Sequence, residues 1–459
     1  MALAALAIAA IWLRPPPTEG PYARDYEAYE AAGATWSAGG DAWSRDVWRI
    51  ERTVPGVDPS RDELLPYVGP AAALPLFALL ARAPHGIAVR IWSGMLAGAL
   101  GALVLAALAL ARERRVGALL AAFALALASG PAISALTLGQ AALMAVAGIA
   151  LALLAFERGR FVAGACGVLF AGLQPNLALV LIARVRSRAV ALACTAAAAV
   201  FFGTSLAADR GLAGLREYLR RLGEHGAAER WILIQHTPAA IAWGFGAPRD
   251  AAAAIGTIAA LAAIAGTIAA IVAYRLRARD GALLAAAALP LAVPFFHEHD
   301  FVLTLLPLLV LAVTSTGAAR ICAALAVPLA LVDWLGIAQR PAATTEIVVL
   351  GGVLACAFVA LGRGRPLRGD AFVLGAFVIV TAVAVPLALT HPAPTWPDRL
   401  PLAYRAPAGA DMSAVWADEQ RRAGLETVEP AWAALRALPL AGSVLTGVAI
   451  VLAARPRRP

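Results

Sequence analysis

The chain has 459 residues, 61% of them hydrophobic and 15% charged, with a mean hydropathy of +0.76; this excludes an ordinary soluble domain and points to an integral membrane protein. The net charge of +9 does not indicate nucleic acid, because the basic residues, all arginine, stand mostly in short clusters between apolar runs, where they act as topology signals. Cys166, Cys194, Cys322 and Cys356 lie inside apolar runs without CxxC spacing, so neither a metal knuckle nor a disulfide framework is supported.

Apolar runs of roughly 15 to 25 residues recur along the whole chain, and only helices satisfy their own backbone in lipid at that length. The expected fold is therefore all-α: one integral membrane domain over residues 1–459, a polytopic bundle of about 12 to 14 transmembrane helices. In chain order the expected spans are 2–13, 86–111, 116–130, 141–156, a broken pair over 161–183, 189–207, 251–273, 281–296, 301–315, 321–338, 346–361, 371–390 and 440–454. Residues 1–13 also resemble a signal peptide through "ALAALA", but the basic start is missing, which favours a short first helix. Residues 68–82 are apolar, yet a crossing there would place "RERR" (112–115) outside, so they are read as a helix in or dipping into the outer interface. "GLQPN" interrupts 161–183 with Pro175 and two amides, a break tolerated only beside protein or a water-filled cavity.

Arginine-rich short loops stay cytoplasmic. "RERR", "ERGR" (157–160), "RVRSR" (184–188), "YRLRARD" (274–280), "GRGRPLRGD" (362–370) and the final "RPRRP" are accordingly placed inside. The loops 14–67, 208–250 and 391–438 then face the extracytoplasmic side, the first carrying six arginines against ten acids, and short interfacial helices are expected in these loops. The alanine-rich, lysine-free composition fits a GC-rich bacterial genome, and with it a bacterial cell (inner) membrane.

The polar residues with chemical potential all fall on the outward side of this map. In "ARDYEAYEAA" (23–32), Asp25 and Tyr29 share a helix face at i and i+4; a helix cap or a solvated aspartate is the plainer reading. "HEHD" (297–300) forms a tight turn between two spans, and three readings of it stay open. It is a wet polar turn, a metal site through His297, His299 and Asp300, or a catalytic or phosphate-binding cluster facing a cavity at membrane level. Gln140, Gln174, Asn176, Gln235, His236 and Asp333 stand at outward ends or helix breaks. Each alone is a packing amide or polar group; together they suggest a polar chamber. His85, His225 and His391 have no such company.

The order of these segments resembles glycosyltransferase family 87, the polyprenyl-phosphate-mannose-dependent mannosyltransferases of the integral membrane GT-C class. The family's D-x-x-x-Y-x-x-A followed by G-x-x-Y is similar to Asp25, Tyr29, Ala32, Gly40 and Trp43, with Trp43 in place of the Tyr. Y-P-P-L is represented by "PYVGPAAALP" with Tyr67 and Pro70, and G-Q-x-N by Gly139 and Gln140 in "LTLGQAALM". "AGACGVLFAGLQPN" resembles the AGxxxGLxxxxKP segment, with Gln174 in place of its lysine. "IQHTPAAI" keeps Gln235 of N-Q-S-L, and "VPFFHEHDFVLTLLP" puts His299 at the histidine of S-P-x-S-W-x-H.

The resemblance implies an enzyme that moves a sugar, mannose in the family, from a polyprenyl-phosphate donor to a hydroxyl of a lipid-linked or cell-envelope glycan acceptor by inverting displacement. It implies Asp25 and His299 as catalytic residues, and Tyr29, Gln140, Gln174, Asn176, Gln235, His297 and Glu298 as substrate-binding ones. Its partners would be the lipid donor, the acceptor and membrane lipids, with no nucleic acid. No cofactor is required, although Glu298 and Asp300 keep a divalent ion open. A polytopic transporter and a non-catalytic lipid-glycan-binding protein are the alternatives, the first weakened by the missing internal repeat and the long acidic first outer loop.

Overall fold

A computed structural model describes residues 23–54, 57–58, 60–209, 211–362 and 368–454. The expected span 2–13, the "RPPP" stretch and the final "RPRRP" lie outside the described residues, as does 363–367 of the basic segment. The described chain is all helical and contains no strand.

The first described helix is α1 (Arg24–Ser37), followed by a 3-10 turn (Arg45–Val47) that runs into a single helical turn (Trp48–Glu51). A 3-10 turn (Ala71–Ala73) leads into α2 (Leu74–Leu80), which together form the short apolar helix expected over 68–82. Then come α3 (His85–Leu110), α4 (Val116–Leu127), α5 (Gly130–Leu138), α6 (Ala142–Glu157) and α7 (Phe161–Ala171). The chain breaks at Gly172–Gln174, as the "GLQPN" signal predicts, and resumes as α8 (Pro175–Ala178) and a 3-10 stretch (Leu179–Arg184). The remainder is α9 (Arg188–Ala208), α10 (Leu212–Ala228), α11 (Pro238–Gly244), α12 (Arg249–Ala273), α13 (Ala278–Ala292), a 3-10 turn (Glu298–Phe301), α14 (Val302–Thr314), α15 (Gly317–Leu331), α16 (Trp334–Gln339), α17 (Thr344–Leu361), α18 (Arg368–Thr390), α19 (Met412–Arg422) and α20 (Pro430–Ala454).

Among the described residues, seven helices are long and apolar enough to cross a membrane: His85–Leu110, Arg188–Ala208, Arg249–Ala273, Gly317–Gln339, Pro341–Leu361, Ala371–Thr390 and Pro430–Ala454. An eighth is obtained if α4 and α5, bent by 63° where they meet, are taken as one span. Of the 12 to 14 spans expected, 2–13 lies outside the described residues, and others are shorter than these, for a physical reason. Several apolar runs fold as helices of fewer than 18 residues, among them α6, α7, α13 and α14, because glycine, proline and polar turns end them early. A further difference lies at the C-terminus: α20 begins at Pro430, ten residues before the expected 440. Arg436 breaks the apolar pattern there, but its guanidinium donates to the carbonyls of Ile232 and Gln235 and is fully inside the protein.

The core is centred on α14, whose residues 302–313 are all buried, and on α6, which packs against α3 and α7. By contrast α12 buries none of its most apolar stretch inside the protein and presents it to the surroundings. Two local devices place α1. Gly139 ends α5 in the left-handed conformation (φ +78°), and a side chain there would meet Tyr26 Cβ at 2.9 Å. The Ala23 amide donates to the Thr137 carbonyl at 2.6 Å and the Trp92 indole to the Gly139 carbonyl at 2.7 Å. The first turn of α1 is thereby pinned beside Gln140.

Candidate active site

Asp25 and Tyr29 lie on one face of α1, as their spacing predicts, and both reach the same amide. Gln140 Nε2 donates to Asp25 Oδ2 at 2.5 Å, while the Tyr29 hydroxyl donates to Gln140 Oε1 at 2.8 Å. Gln174 Nε2 approaches the same Oε1 at 3.4 Å from the break after α7. Asp25, Tyr29, Gln140 and Gln174 thus form one hydrogen-bonded chain drawn from three distant parts of the sequence. Tyr29 is itself packed among Phe77, Tyr67 and Trp92, with ring centroids 4.8, 5.8 and 6.1 Å away. Burial pushes the Asp25 carboxyl up to about 7, against the opposing pull of the Gln140 hydrogen bond and of positive charge on His297 and Arg24.

The Glu298–Phe301 turn packs against α5 and so brings the histidine segment to this face. The His297 amide donates to Asp300 Oδ2 at 3.0 Å, which closes the turn. His297 lies within electrostatic reach of Asp25, each affecting the other's charge. His299, 7% exposed, lies 5.3 Å from His297 between ring centroids, with its Nε2 3.8 Å from Asp300 Oδ1 and with His297, Glu229 and His236 as further charge neighbours.

The anchor of this second half is Glu229, at the C-terminus of α10 and 3% exposed. Its Oε2 lies 3.1 Å from His297 Nε2 and accepts from Gln235 Nε2 at 3.3 Å. Its Oε1 accepts from the Trp416 indole at 2.6 Å and lies 3.3 Å from His225 Nε2. Gln235 also accepts the Phe296 amide at 3.0 Å, which fixes the approach to the turn. Burial alone would raise the Glu229 carboxyl, but His225 and His297 hold it well below the usual carboxylate range. Burial opposes charge on His297, yet Glu229, then Asp300 and Asp25, leave its imidazole above the ordinary value. Burial and the neighbouring His297 keep His299 well below the ordinary value, and hence neutral. Asp25, its carboxyl raised to about 7 by burial, and His297, its imidazole raised by Glu229, therefore act on each other's charge.

Other residues singled out from sequence go elsewhere. Asn176 is half-buried in α8 and outside the Gln140 chain. Glu298 turns toward Asp333 and Arg340; burial and Asp333 raise its carboxyl well above the usual range. Asp333 caps α16 by accepting the Gly336 amide at 2.6 Å and pairs with Arg340 at 2.5 Å. His236 is 1% exposed, stacked edge-on to Phe301. His85 pairs with Glu30 at 2.8 Å, and His225, read as isolated in sequence, lies against Glu229. Among the described residues no three His, Cys, Asp or Glu side chains converge as metal ligands require.

Glu229 and Trp416 escaped the sequence reading. Both sit in loops that read as outward connections, and the one local signal was the i, i+4 spacing of His225 and Glu229.

Comparison with known proteins returns one family. The model of "Glycosyltransferase family 87" matches residues 67–296, half of the chain. No curated protein and no solved structure matches. Of the site, Gln140, Gln174, Glu229 and Gln235 fall within the matched segment, while Asp25, His297, His299 and Trp416 lie outside it.

Proposed function

The chain belongs to glycosyltransferase family 87, the GT-C membrane glycosyltransferases, and on that premise we propose that it transfers a hexose, mannose by analogy with the family, from a polyprenyl-phosphate donor to a hydroxyl of a lipid-linked or cell-envelope glycan on the extracytoplasmic face of a bacterial cell membrane. The observation that carries the reading is the hydrogen-bonded chain of Asp25, Tyr29, Gln140 and Gln174, with His297 within electrostatic reach of Asp25. A sugar hydroxyl is a poor nucleophile at neutral pH, so the acceptor needs a base. Asp25, held by Gln140 and poised near 7, takes the hydroxyl proton on its free oxygen. The hydroxyl oxygen attacks the anomeric carbon from the side opposite the phosphate, the carbon–oxygen bond to phosphate breaks, and the phosphate leaves with the electron pair. The charge gathering on that phosphate is met by the His297 imidazolium.

In this reading His297, which the resemblance implies only as substrate-binding, takes the catalytic place it implies for His299, because His297 is the ring within electrostatic reach of Asp25. Gln174, standing where the family has lysine, contributes a neutral amide beside Gln140, and the cation is supplied by His297 instead. A hydrocarbon tail on the donor is accommodated by apolar surface near the site. The short helix 71–80 supplies one wall. An open groove between α12, α13 and α20, lined by Ala263, Leu284, Leu291, Val444 and Val448, is a second apolar surface.

The test is transfer by membranes carrying the wild type or Asp25→Asn, supplied with radiolabelled polyprenyl-phosphate mannose and a native lipid extract. Label moves from the donor into a product that thin-layer chromatography resolves from polyprenyl-phosphate mannose with the wild type, and this transfer falls about 10²- to 10⁴-fold in the variant at equal expression. Equal transfer by both removes Asp25 as the base, and no transfer by the wild type points to a different donor or a non-catalytic protein.

A further inference from the structure

The residue that the comparisons and the motif pattern leave without a role is Glu229. It is a carboxylate 3% exposed, contacted at both oxygens, and its contacts come from four places: α10 through His225, the loop before α11 through Gln235, the turn after α13 through His297, and α19 through Trp416. A buried carboxylate is costly unless paired and hydrogen-bonded. Here every contact serves to aim it. Trp416 Nε1 donates to Oε1, while Oε2 lies against both Gln235 Nε2 at 3.3 Å and His297 Nε2 at 3.1 Å, and Gln235 Nε2 is itself 2.9 Å from His297 Nε2. Gln235 in turn holds the Phe296 amide, so Glu229 and the backbone leading to His297 are braced by the same side chain.

Resting on the transferase reading above, we propose that Glu229 is a positioning residue: it fixes the ring of His297 and keeps that ring cationic, so that the charge facing Asp25 and the departing phosphate is His297. The charged and titratable groups around His297 are Glu229 from the end of α10, Asp25 from α1, Asp300 and His299 from its own turn, and His236 from the loop before α11. Of these, Glu229 is the anion in direct contact with the ring nitrogen. Trp416 belongs to the C-terminal loop beyond the family-matched segment, so that loop supports the site through this indole rather than merely covering it.

The experiment uses the full chain, labelled with ¹⁵N-histidine and purified in detergent micelles. It has six histidines, and His297→Asn identifies the signal of interest by its disappearance. In the wild type the His297 imidazole titrates above the ordinary histidine value of about 6.5. In Glu229→Gln the midpoint falls by about one pH unit or more, in Trp416→Phe by less, and Glu229→Asp restores most of the shift. Transfer kcat from polyprenyl-phosphate mannose falls about 10²-fold in Glu229→Gln and recovers with Glu229→Asp. A His297 midpoint that is the same in wild type, Glu229→Gln and Trp416→Phe overturns the proposal. Should Glu229→Gln fail to fold, Trp416→Phe, which keeps an aromatic ring in place, decides on the same readout. The titration needs no substrate, so a wild type without transfer activity but with the expected midpoints rejects the donor reading and leaves Glu229 assigned.

Discussion

At the residue scale the central feature is a carboxyl group made basic by its surroundings. Burial lifts Asp25 to about 7 from an ordinary 3.8, and this has two consequences of known sign. A base must be deprotonated to act, so kcat/KM for transfer rises as pH passes upward through about 7, and it falls again at the pH where His297 loses its proton; a pH–rate profile checks both limbs. Stability runs the other way. A carboxyl whose folded pKa exceeds the unfolded one binds more protons when folded, so the chain loses stability as pH rises from about 4 to about 7. Asp25→Asn removes that penalty, and its melting temperature exceeds that of the wild type by more at pH 8 than at pH 5, as measured by thermal unfolding in micelles. The polar chain through Gln140 was partly legible. Asp25, Tyr29, Gln140 and Gln174 stood out as polar groups among apolar runs, but nothing in their local sequence says that one amide serves both Asp25 and Tyr29.

At the scale of the element, the site depends on how closely α1 lies on its neighbours. Gly33 faces α2 so tightly that a Cβ there would meet the Ala78 nitrogen and the Phe77 carbonyl carbon at 2.5 Å. Backbone atoms cannot swing aside as a flexible side chain would, so α1 itself must move. Gly33→Ala is therefore expected to cost about 1–3 kcal/mol of stability and to lower transfer, since Asp25 rides on the same helix. A fall in melting temperature together with a fall in kcat checks this, and an unchanged kcat would separate the position of α1 from the chemistry. The same closeness holds α6 to α7, where a Cβ on Gly148 would meet the Ala171 nitrogen at 2.6 Å. That crossing places Gln174 against Gln140. Helix positions could be read from apolar runs and from breakers such as Pro175, whereas the glycine contacts could not, because a glycine that loosens a helix and one that admits a neighbour look alike in sequence.

At the scale of the whole molecule, the first loop, the α10–α11 loop and the C-terminal loop are bound to one another by buried charge. Arg24 pairs with Glu27 at 2.7 Å and Glu63 at 2.6 Å, Arg61 donates to Glu63 and to the Leu400 carbonyl, and Glu419 accepts the Leu64 amide. With Trp416 on Glu229, these contacts make the loops one layer over the helix ends. If that layer faces outward, single cysteines at Asp41 and Asp411, in a background with Cys166, Cys194, Cys322 and Cys356 replaced by alanine, react with an impermeant maleimide on intact cells, and a cysteine at Arg114 reacts only after lysis. The reverse pattern inverts the topology. What the sequence alone determined was the solvent: long apolar runs with arginine between them leave helices in a membrane as the available fold, and the order of the motifs points to the family. It did not determine the number of full-length spans, because whether an apolar run crosses or stops depends on partners such as the carbonyls that satisfy Arg436. Nor did it identify Glu229. A carboxylate in a polar loop carries no mark of burial, and only the packing of two distant segments, around His297 and Trp416, against it turns an ordinary loop acid into the counter-charge of His297.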